Sequence, residues 1–155
     1  MGKSLAFFKG KITPLEDAKV GIMTHALHYG TGVFEGIRGN WNEDKDAIVV
    51  FRLREHYDRM IRGCKILNIE LPYSVDDLIG ITTELIKKCG YKEDIYIRPL
   101  AYKSEEKVAN LKLHELASDF TLMIVPFGNY IDNEKPIKCQ TSSWRRPDDS
   151  MMPTG

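Results

Sequence analysis

The chain contains few cysteines, and their number and spacing argue against a disulfide framework. Cys64, Cys89 and Cys139 are the only three in 155 residues, and no two of them form a C-x-x-C pair. Cys64 and Cys89 fall on the apolar faces of amphipathic segments, where a thiol behaves as a small hydrophobic group. We therefore expect reduced, buried thiols and a cytoplasmic location.

Net charge and long apolar runs are also missing. Lys plus Arg and Asp plus Glu both number 22, so no net field attracts nucleic acid or an anionic membrane. No segment approaches the length of a membrane span, and the N-terminal apolar run is too short for a signal peptide. A content of 43% hydrophobic and 28% charged residues is typical of one globular domain, here with a tail.

The four histidines lack the companions that a metal site requires. No cysteine or carboxylate stands at ligand spacing from His25, His28, His56 or His114. The sequence therefore predicts no metal site.

The most unusual stretch is Thr24 to Arg38, which combines glycines, aromatic residues, histidines and a charge pair. Gly30, Gly32 and Gly36 follow a G-x-G-x-x-x-G pattern rather than the G-x-G-x-x-G pattern of dinucleotide-binding loops. Strand-like residues and a polar turn follow, not a helix that would present its N-terminus to a pyrophosphate. The stretch is therefore not a dinucleotide-binding loop.

The hydrophobic pattern predicts strands interspersed with two helices. Lys9-Gly10 is a two-residue hairpin signal between strands 5–8 and 11–13, and a second hairpin joins 32–39 to 47–52. Helical spacing predicts a helix over 53–66, and a capping box at Ser74 opens a second helix that Gly90 ends. Further strands are predicted at 95–102, at 120–126 as a strand covered on both faces, and at 137–143.

These elements predict an α+β fold, a sheet with two helices on one face, followed by the first strand of a truncated second domain. We expect the small N-terminal domain over 1–127, a linker over 128–136 and the start of the second domain over 137–155. In the strand 95–102, Ile95 and Ile97 alternate with Tyr96 and Arg98, so one face presents a phenol and a guanidinium.

The segment HALHYGTGVFEGIR, residues 25–38, resembles the signature of the branched-chain amino acid aminotransferases, pyridoxal-phosphate enzymes of fold type IV. Four more segments resemble this family in the same order: EDAKV at 16–20, EHYDRM at 55–60, YIRPL at 96–100 and SSW at 142–144. The resemblance covers nearly the whole chain, and the ordered set is far more specific than any one motif.

The resemblance implies a role for each residue that matches a family motif. Arg59 would bind the phosphate of pyridoxal 5'-phosphate, a task that suits a fixed and always charged fork. Tyr96 would hold the substrate carboxylate, and Arg98 would meet the side-chain carboxylate of glutamate. The remaining substrate-binding positions are the pocket walls Phe34 and Tyr130, Gly36 beside them, and Tyr29, which would reach into the partner subunit's site.

The implied reaction moves an amino group between leucine, isoleucine or valine and 2-oxoglutarate, which becomes glutamate, in a homo-oligomer built from dimers. In the family, the Schiff-base lysine follows the segment matched by 142–155, so it would lie beyond Gly155 and we expect this chain alone to be inactive. D-amino acid aminotransferases and aminodeoxychorismate lyases are alternatives of the same fold, although they differ at FEGIR and YIRPL. A non-catalytic binding or dimerisation module is the alternative of another class.

Overall fold

The computed structural model describes residues 2–128, 136–145, 148 and 151. Within these residues, seven antiparallel strands form one sheet in the order β2-β1-β7-β6-β4-β5, and β3 pairs with β6 beside β4. The strands are β1 Leu5–Phe8, β2 Lys11–Pro14, β3 Gly32–Phe34, β4 Ile37–Asn42, β5 Ala47–Val50, β6 Ile95–Lys103 and β7 Ser118–Pro126. The helices are α1 His25–Tyr29, α2 Leu53–Ile66 and α3 Val75–Cys89, with short 3-10 turns at Leu15–Asp17 and Leu113–Glu115.

The first hairpin confirms its sequence signal. Lys9 and Gly10 connect β1 to β2 with φ of 49° and 75°, the left-handed values that a two-residue turn requires. The second hairpin is shorter than predicted, because β5 ends at Val50 and the chain turns through Phe51 and Arg52 into α2.

The predicted strand 32–39 is interrupted at Glu35 and Gly36, which separate β3 from β4. The pairing with β6 keeps one register across the gap, from Phe34 opposite Leu100 to Ile37 opposite Ile97. That register sets Glu35 opposite Pro99, which has no N–H to donate. The Glu35 N–H still donates to the Pro99 carbonyl at 3.1 Å, so half of this ladder step survives.

Both long helices confirm the predictions. The capping box at the start of α3 is present, with the Asp77 N–H donating to Ser74 Oγ at 3.2 Å and the Ser74 N–H donating to Asp77 Oδ2 at 2.8 Å. Gly90 ends α3 with φ of 65°. None of the described helices is long and apolar enough to cross a membrane.

The two helices cover one face of the sheet and form the core with it. Ile37, Ile97, Tyr57, Leu78 and Leu85 are each 0% exposed. Along the strands, the buried residues Ile37 and Ile97 alternate with residues that point to the opposite, open face of the sheet. Cys64 and Cys89 lie in the same core, which confirms the prediction of buried thiols.

The prediction that 120–126 is covered on both faces is wrong. Phe120, Leu122 and Ile124 are buried on the helix side of β7, whereas Met123 is 38% exposed on the other side. Both long helices lie on one face of the sheet, so a continuous apolar run in β7 does not mean that both faces are covered.

Two further elements differ from the predictions. The short helix α1, which Gly30 ends with φ of 64°, was not predicted; five residues are too few to show helical periodicity. No strand is assigned within 136–145, so the expected strand 137–143 is not formed there. A strand needs a ladder partner, and none of the described strands pairs with this segment. The domain boundaries at 127 and 136 stay predictions.

Candidate functional site

The open face of the sheet gathers four of the residues that the sequence singled out. Tyr96 and Arg98 point to this face from β6, because Ile95 and Ile97 occupy the buried positions between them. The register carries Phe34 to the same face beside Leu100. Gly36 lies in the interruption between β3 and β4, next to Tyr96. Phe34, Gly36, Tyr96 and Arg98 are called the open-face cluster below.

Among the described residues, Arg98 is held by aromatic neighbours rather than by a carboxylate. Its Nε donates to Tyr96 Oη at 3.1 Å, and its Nη2 donates to the same oxygen. The guanidinium also lies over the Phe34 ring, 4.4 Å from the centroid, in a cation–π contact. Because the phenol oxygen accepts two N–H groups, the phenol proton is directed toward a further acceptor. Arg98 and Tyr96 therefore form a paired donor site suited to a carboxylate.

Gly36 makes room for the phenol. A Cβ added at Gly36 would lie 2.7 Å from Tyr96 Oη. Any larger residue would therefore displace the hydroxyl group that Arg98 binds. Phe127 also packs on Tyr96, with its ring centroid 5.2 Å from that of the phenol.

Among the described residues, two apolar cavities beside the open-face cluster share Val20, Leu100 and Thr121 as lining residues. The larger, of about 340 Å³, is lined by Val20, Thr24, Ala26, Leu27, Gly30, Gly32, Phe34, Leu100, Tyr102 and Thr121. The smaller, of about 140 Å³, is lined by Ala6, Phe8, Leu15, Ala18, Val20, Arg98, Leu100, Thr121 and Met123. A single cationic group beside apolar walls is the composition expected for a ligand with one charged end and one aliphatic end.

Arg59 lies on the helix side of the same segment and is not part of the open-face cluster. Its Nε donates to Glu35 Oε1 at 2.6 Å, and its Nη2 donates to Glu35 Oε2. His56, one turn earlier on α2, reaches the same carboxylate through Nδ1 at 2.9 Å from Oε2. An ionised carboxylate only accepts, so His56 Nδ1 carries the proton of this bond.

Glu35 is the functional candidate that the sequence reasoning missed. Its side chain is 6% exposed, whereas Arg59 remains 59% exposed. Burial alone would raise the pKa of Glu35, but the hydrogen bonds from Arg59 and His56 outweigh burial and hold this pKa below its usual range. The signal was present: Glu35 stands between Val33 and Ile37 on the apolar side of the strand alternation, where an unpaired carboxylate would be costly.

Tyr29 does not lie at the open-face cluster. Tyr29 is 41% exposed, its Oη accepts the Ala109 N–H at 2.8 Å, and its ring lies 4.4 Å from that of His25. Its predicted approach to a partner subunit stays a prediction. Tyr130 lies outside the described residues. Within those residues, no group of three His, Cys, Asp or Glu side chains is placed to hold a metal ion.

Lys103 is the buried lysine of β6, and it faces away from the open-face cluster. Nζ donates to the Leu116 carbonyl at 3.0 Å and to Ser118 Oγ at 2.9 Å. Burial lowers its pKa, while the charge of Glu70 acts in the opposite direction. Lys103 therefore fastens the segment before β7 to the sheet.

The chain is similar to known proteins over most of its length. Residues 32–154 match the family model described as amino-transferase class IV. The chain is 43% identical over 149 residues to a probable branched-chain-amino-acid aminotransferase of Aquifex aeolicus, covering 96% of this chain and 48% of that protein. It thus spans about half the length of the curated relatives it matches.

Solved structures give the same result for the fold. The branched-chain aminotransferase of Thermoproteus uzoniensis with norvaline matches with a TM-score of 0.88 and 38% identity, over 98% of this chain and 50% of that chain. Another branched-chain amino acid aminotransferase, complexed with N-(5'-phosphopyridoxyl)-L-glutamate, matches with a TM-score of 0.81 and 32% identity, over 97% and 49%. Both similarities extend over the sheet that carries the open-face cluster.

Proposed function

The chain belongs to the amino-transferase class IV family, and on that premise we propose that it forms part of the active site of a pyridoxal-phosphate-dependent branched-chain amino acid aminotransferase. The observation that carries the proposal is the open-face cluster, in which Tyr96 and Arg98 present donors beside apolar walls. The same pairing of a carboxylate site with an aliphatic pocket is what a branched-chain amino acid requires.

Arg59 is the residue of this chain that would bind the cofactor phosphate. Two of its nitrogens are engaged by Glu35, and among the described residues Nη1 has no hydrogen-bond partner. An exposed, permanently charged group with two free N–H donors fits a phosphate monoester. When bound, pyridoxal 5'-phosphate supplies the electron sink that makes proton removal from the substrate α-carbon feasible.

Tyr96, Phe34 and Gly36 would position the amino acid. Tyr96 donates its free phenol proton to the substrate carboxylate, while Phe34 and the neighbouring apolar cavity take up the aliphatic side chain. Gly36 keeps that phenol in place, as the 2.7 Å approach of a Cβ to Oη indicates. Tyr130 would complete the pocket wall, and Tyr29 would contribute to the site of a second subunit in a homodimer.

Arg98 would bind the second carboxylate of glutamate or 2-oxoglutarate. Its cation–π contact with Phe34 and its bonds to Tyr96 leave the charge uncompensated by any carboxylate among the described residues. An aliphatic side chain would contact the rings, whereas a side-chain carboxylate would pair with the guanidinium. The relatives crystallised with norvaline and with a phosphopyridoxyl-glutamate are consistent with this division.

We propose that the enzyme is cytoplasmic and that the 155-residue chain by itself does not turn over substrate. Among the described residues, no lysine lines the two cavities beside the open-face cluster, where the reaction needs a proton-transferring group.

The test is a comparison of two substrates in the protein that carries this chain together with the rest of the family architecture. Arg98→Met should raise the KM for glutamate by about 10- to 100-fold, because a charge-assisted contact contributes about 1.5–3 kcal/mol. The KM for leucine should change much less.

An equal loss for leucine and glutamate would contradict the role given to Arg98. A faster amino transfer from D-alanine than from leucine would favour the D-amino acid aminotransferase alternative. The 155-residue chain, mixed with pyridoxal phosphate, leucine and 2-oxoglutarate, should form no glutamate; turnover equal to that of the longer protein would overturn the proposed inactivity.

A further inference from the structure

Glu35 is buried in an unusual place for a carboxylate. It lies between Phe34 and Gly36 of the open-face cluster, yet it points to the helix side, where its side chain is 6% exposed. Its backbone is fixed by the hydrogen bond that the Glu35 N–H donates to the Pro99 carbonyl at 3.1 Å. A buried carboxylate with a fixed backbone is a rigid acceptor, because neither its main chain nor its side chain has room to move.

The contacts of Glu35 determine where the Arg59 guanidinium points. Both carboxylate oxygens are used, with Nε of Arg59 at 2.6 Å from Oε1 and Nη2 on Oε2. The guanidinium is planar and rigid, so two bonds on one edge fix the direction of the remaining nitrogen, Nη1. His56 binds Oε2 at 2.9 Å and gives the carboxylate a second anchor on α2.

We propose that Glu35 is a positioning residue that holds Arg59 with Nη1 directed at the phosphate monoester of the cofactor. The inference rests on the proposed function, since it takes the phosphate as the ligand of Arg59. Arg59 is 59% exposed and would otherwise distribute over several rotamers, so its affinity for an anion would include the entropic cost of ordering a long side chain.

The opposite charge of Glu35 does not prevent this role. The carboxylate occupies the Nε and Nη2 edge, so an anion on Nη1 lies on the other side of the guanidinium. A buried carboxylate needs its hydrogen-bonding capacity satisfied, and the carboxylate of Glu35 is satisfied by Arg59 and His56.

The experiment compares two ligands that differ only in the phosphate. Pyridoxamine 5'-phosphate and pyridoxamine carry no aldehyde, so both bind without a covalent bond, and their dissociation constants are measured by fluorescence titration. Four proteins are titrated: the wild type, Glu35→Gln, Arg59→Ala and the double variant. Each carries this chain together with the rest of the family architecture. Glu55→Gln is the matched control, because Glu55 lies on α2 like Arg59 and forms an exposed ion pair with Arg52.

We expect Arg59→Ala to weaken the binding of pyridoxamine 5'-phosphate by about 10- to 100-fold. Glu35→Gln, which keeps the size of the side chain, should weaken it by roughly three- to tenfold. Pyridoxamine should bind all four proteins alike, and Glu55→Gln should resemble the wild type. The double variant should be no weaker than Arg59→Ala alone, since Glu35 acts through Arg59.

Failure of the proposed function and failure of the positioning role give different results. If Arg59→Ala leaves the phosphate ligand unaffected, the assignment of the phosphate to Arg59 in the proposed function is wrong. If Arg59→Ala weakens it but Glu35→Gln does not, Arg59 binds the phosphate without help and the positioning role is overturned. Equal losses of both ligands in Glu35→Gln would also overturn it, because a merely structural residue does not distinguish the two.

Discussion

The two faces of the sheet are built from alternate residues of the same strands, but they hold their side chains in different ways. On the covered face, Ile37, Ile95 and Ile97 are each 0% exposed and lie against α2 and α3. On the open face, Tyr96 and Arg98 hold each other through hydrogen bonds and ring contacts. The covered face therefore carries the free energy of folding, and the open face carries the groups suited to binding.

The largest expected difference lies between two neighbouring residues of β6. Ile97→Ala should lower the free energy of unfolding by about 2–5 kcal/mol, because it leaves a cavity in the core. Arg98→Met should change it by no more than about 1 kcal/mol, since its contacts lie outside the core. Urea unfolding of the chain measures both, and similar losses would show that the open face also stabilises the fold.

Gly36 and Gly39 allow the two faces to be compared by adding one methyl group to each. A Cβ at Gly39 would lie 2.7 Å from Ile48 Cγ2 and from Ile95 Cγ1, whereas at Gly36 it would meet Tyr96 Oη at 2.7 Å. Gly39→Ala should therefore destabilise the chain by about 1–3 kcal/mol through overpacking.

Gly36→Ala should cost much less stability, because the far end of Tyr96 can move aside. It should lower kcat/KM for leucine by about tenfold or more, since a small displacement of a positioning group is costly. Unfolding curves and steady-state kinetics of both variants test the pair. An unaltered kcat/KM in a stable Gly36→Ala would mean that Tyr96 does not position the substrate.

The smallest expected effect concerns Glu35, a charged residue on the otherwise apolar, covered face of the sheet. Its folded-state pKa lies below its ordinary value of 4.5, so its contribution to stability is present above that value and is lost as the pH falls through the lower one. The difference in unfolding free energy between wild type and Glu35→Gln should therefore shrink from about pH 6 to about pH 3. Glu55→Gln, at an exposed ion pair, is the control, and a difference that stays constant over this range would contradict the pairing with Arg59.

Much of the fold was predictable because its signals are local. The Lys9-Gly10 turn, the Ser74 capping box and the ends of both long helices follow from residues within one or two turns of each other. The alternation in β6 also predicted that Tyr96 and Arg98 share a face. The uncovered face of β7 was not predictable, since an apolar run is the same whether helices cover one face or both.

The candidate site divides along the same line. The sequence by itself determined which residue types were available: the Tyr96 and Arg98 face, the glycine at 36 and the arginine on α2, all of which follow from patterns within one element. Only the tertiary structure decided what they contact. The register of β3 and β4 against β6 sets Pro99 opposite Glu35 and brings Phe34 over Arg98. Packing of α2 on that segment then sets Arg59 on the Glu35 carboxylate, because a contact between residues 24 positions apart depends on the register and helix placement of the whole domain rather than on either local pattern.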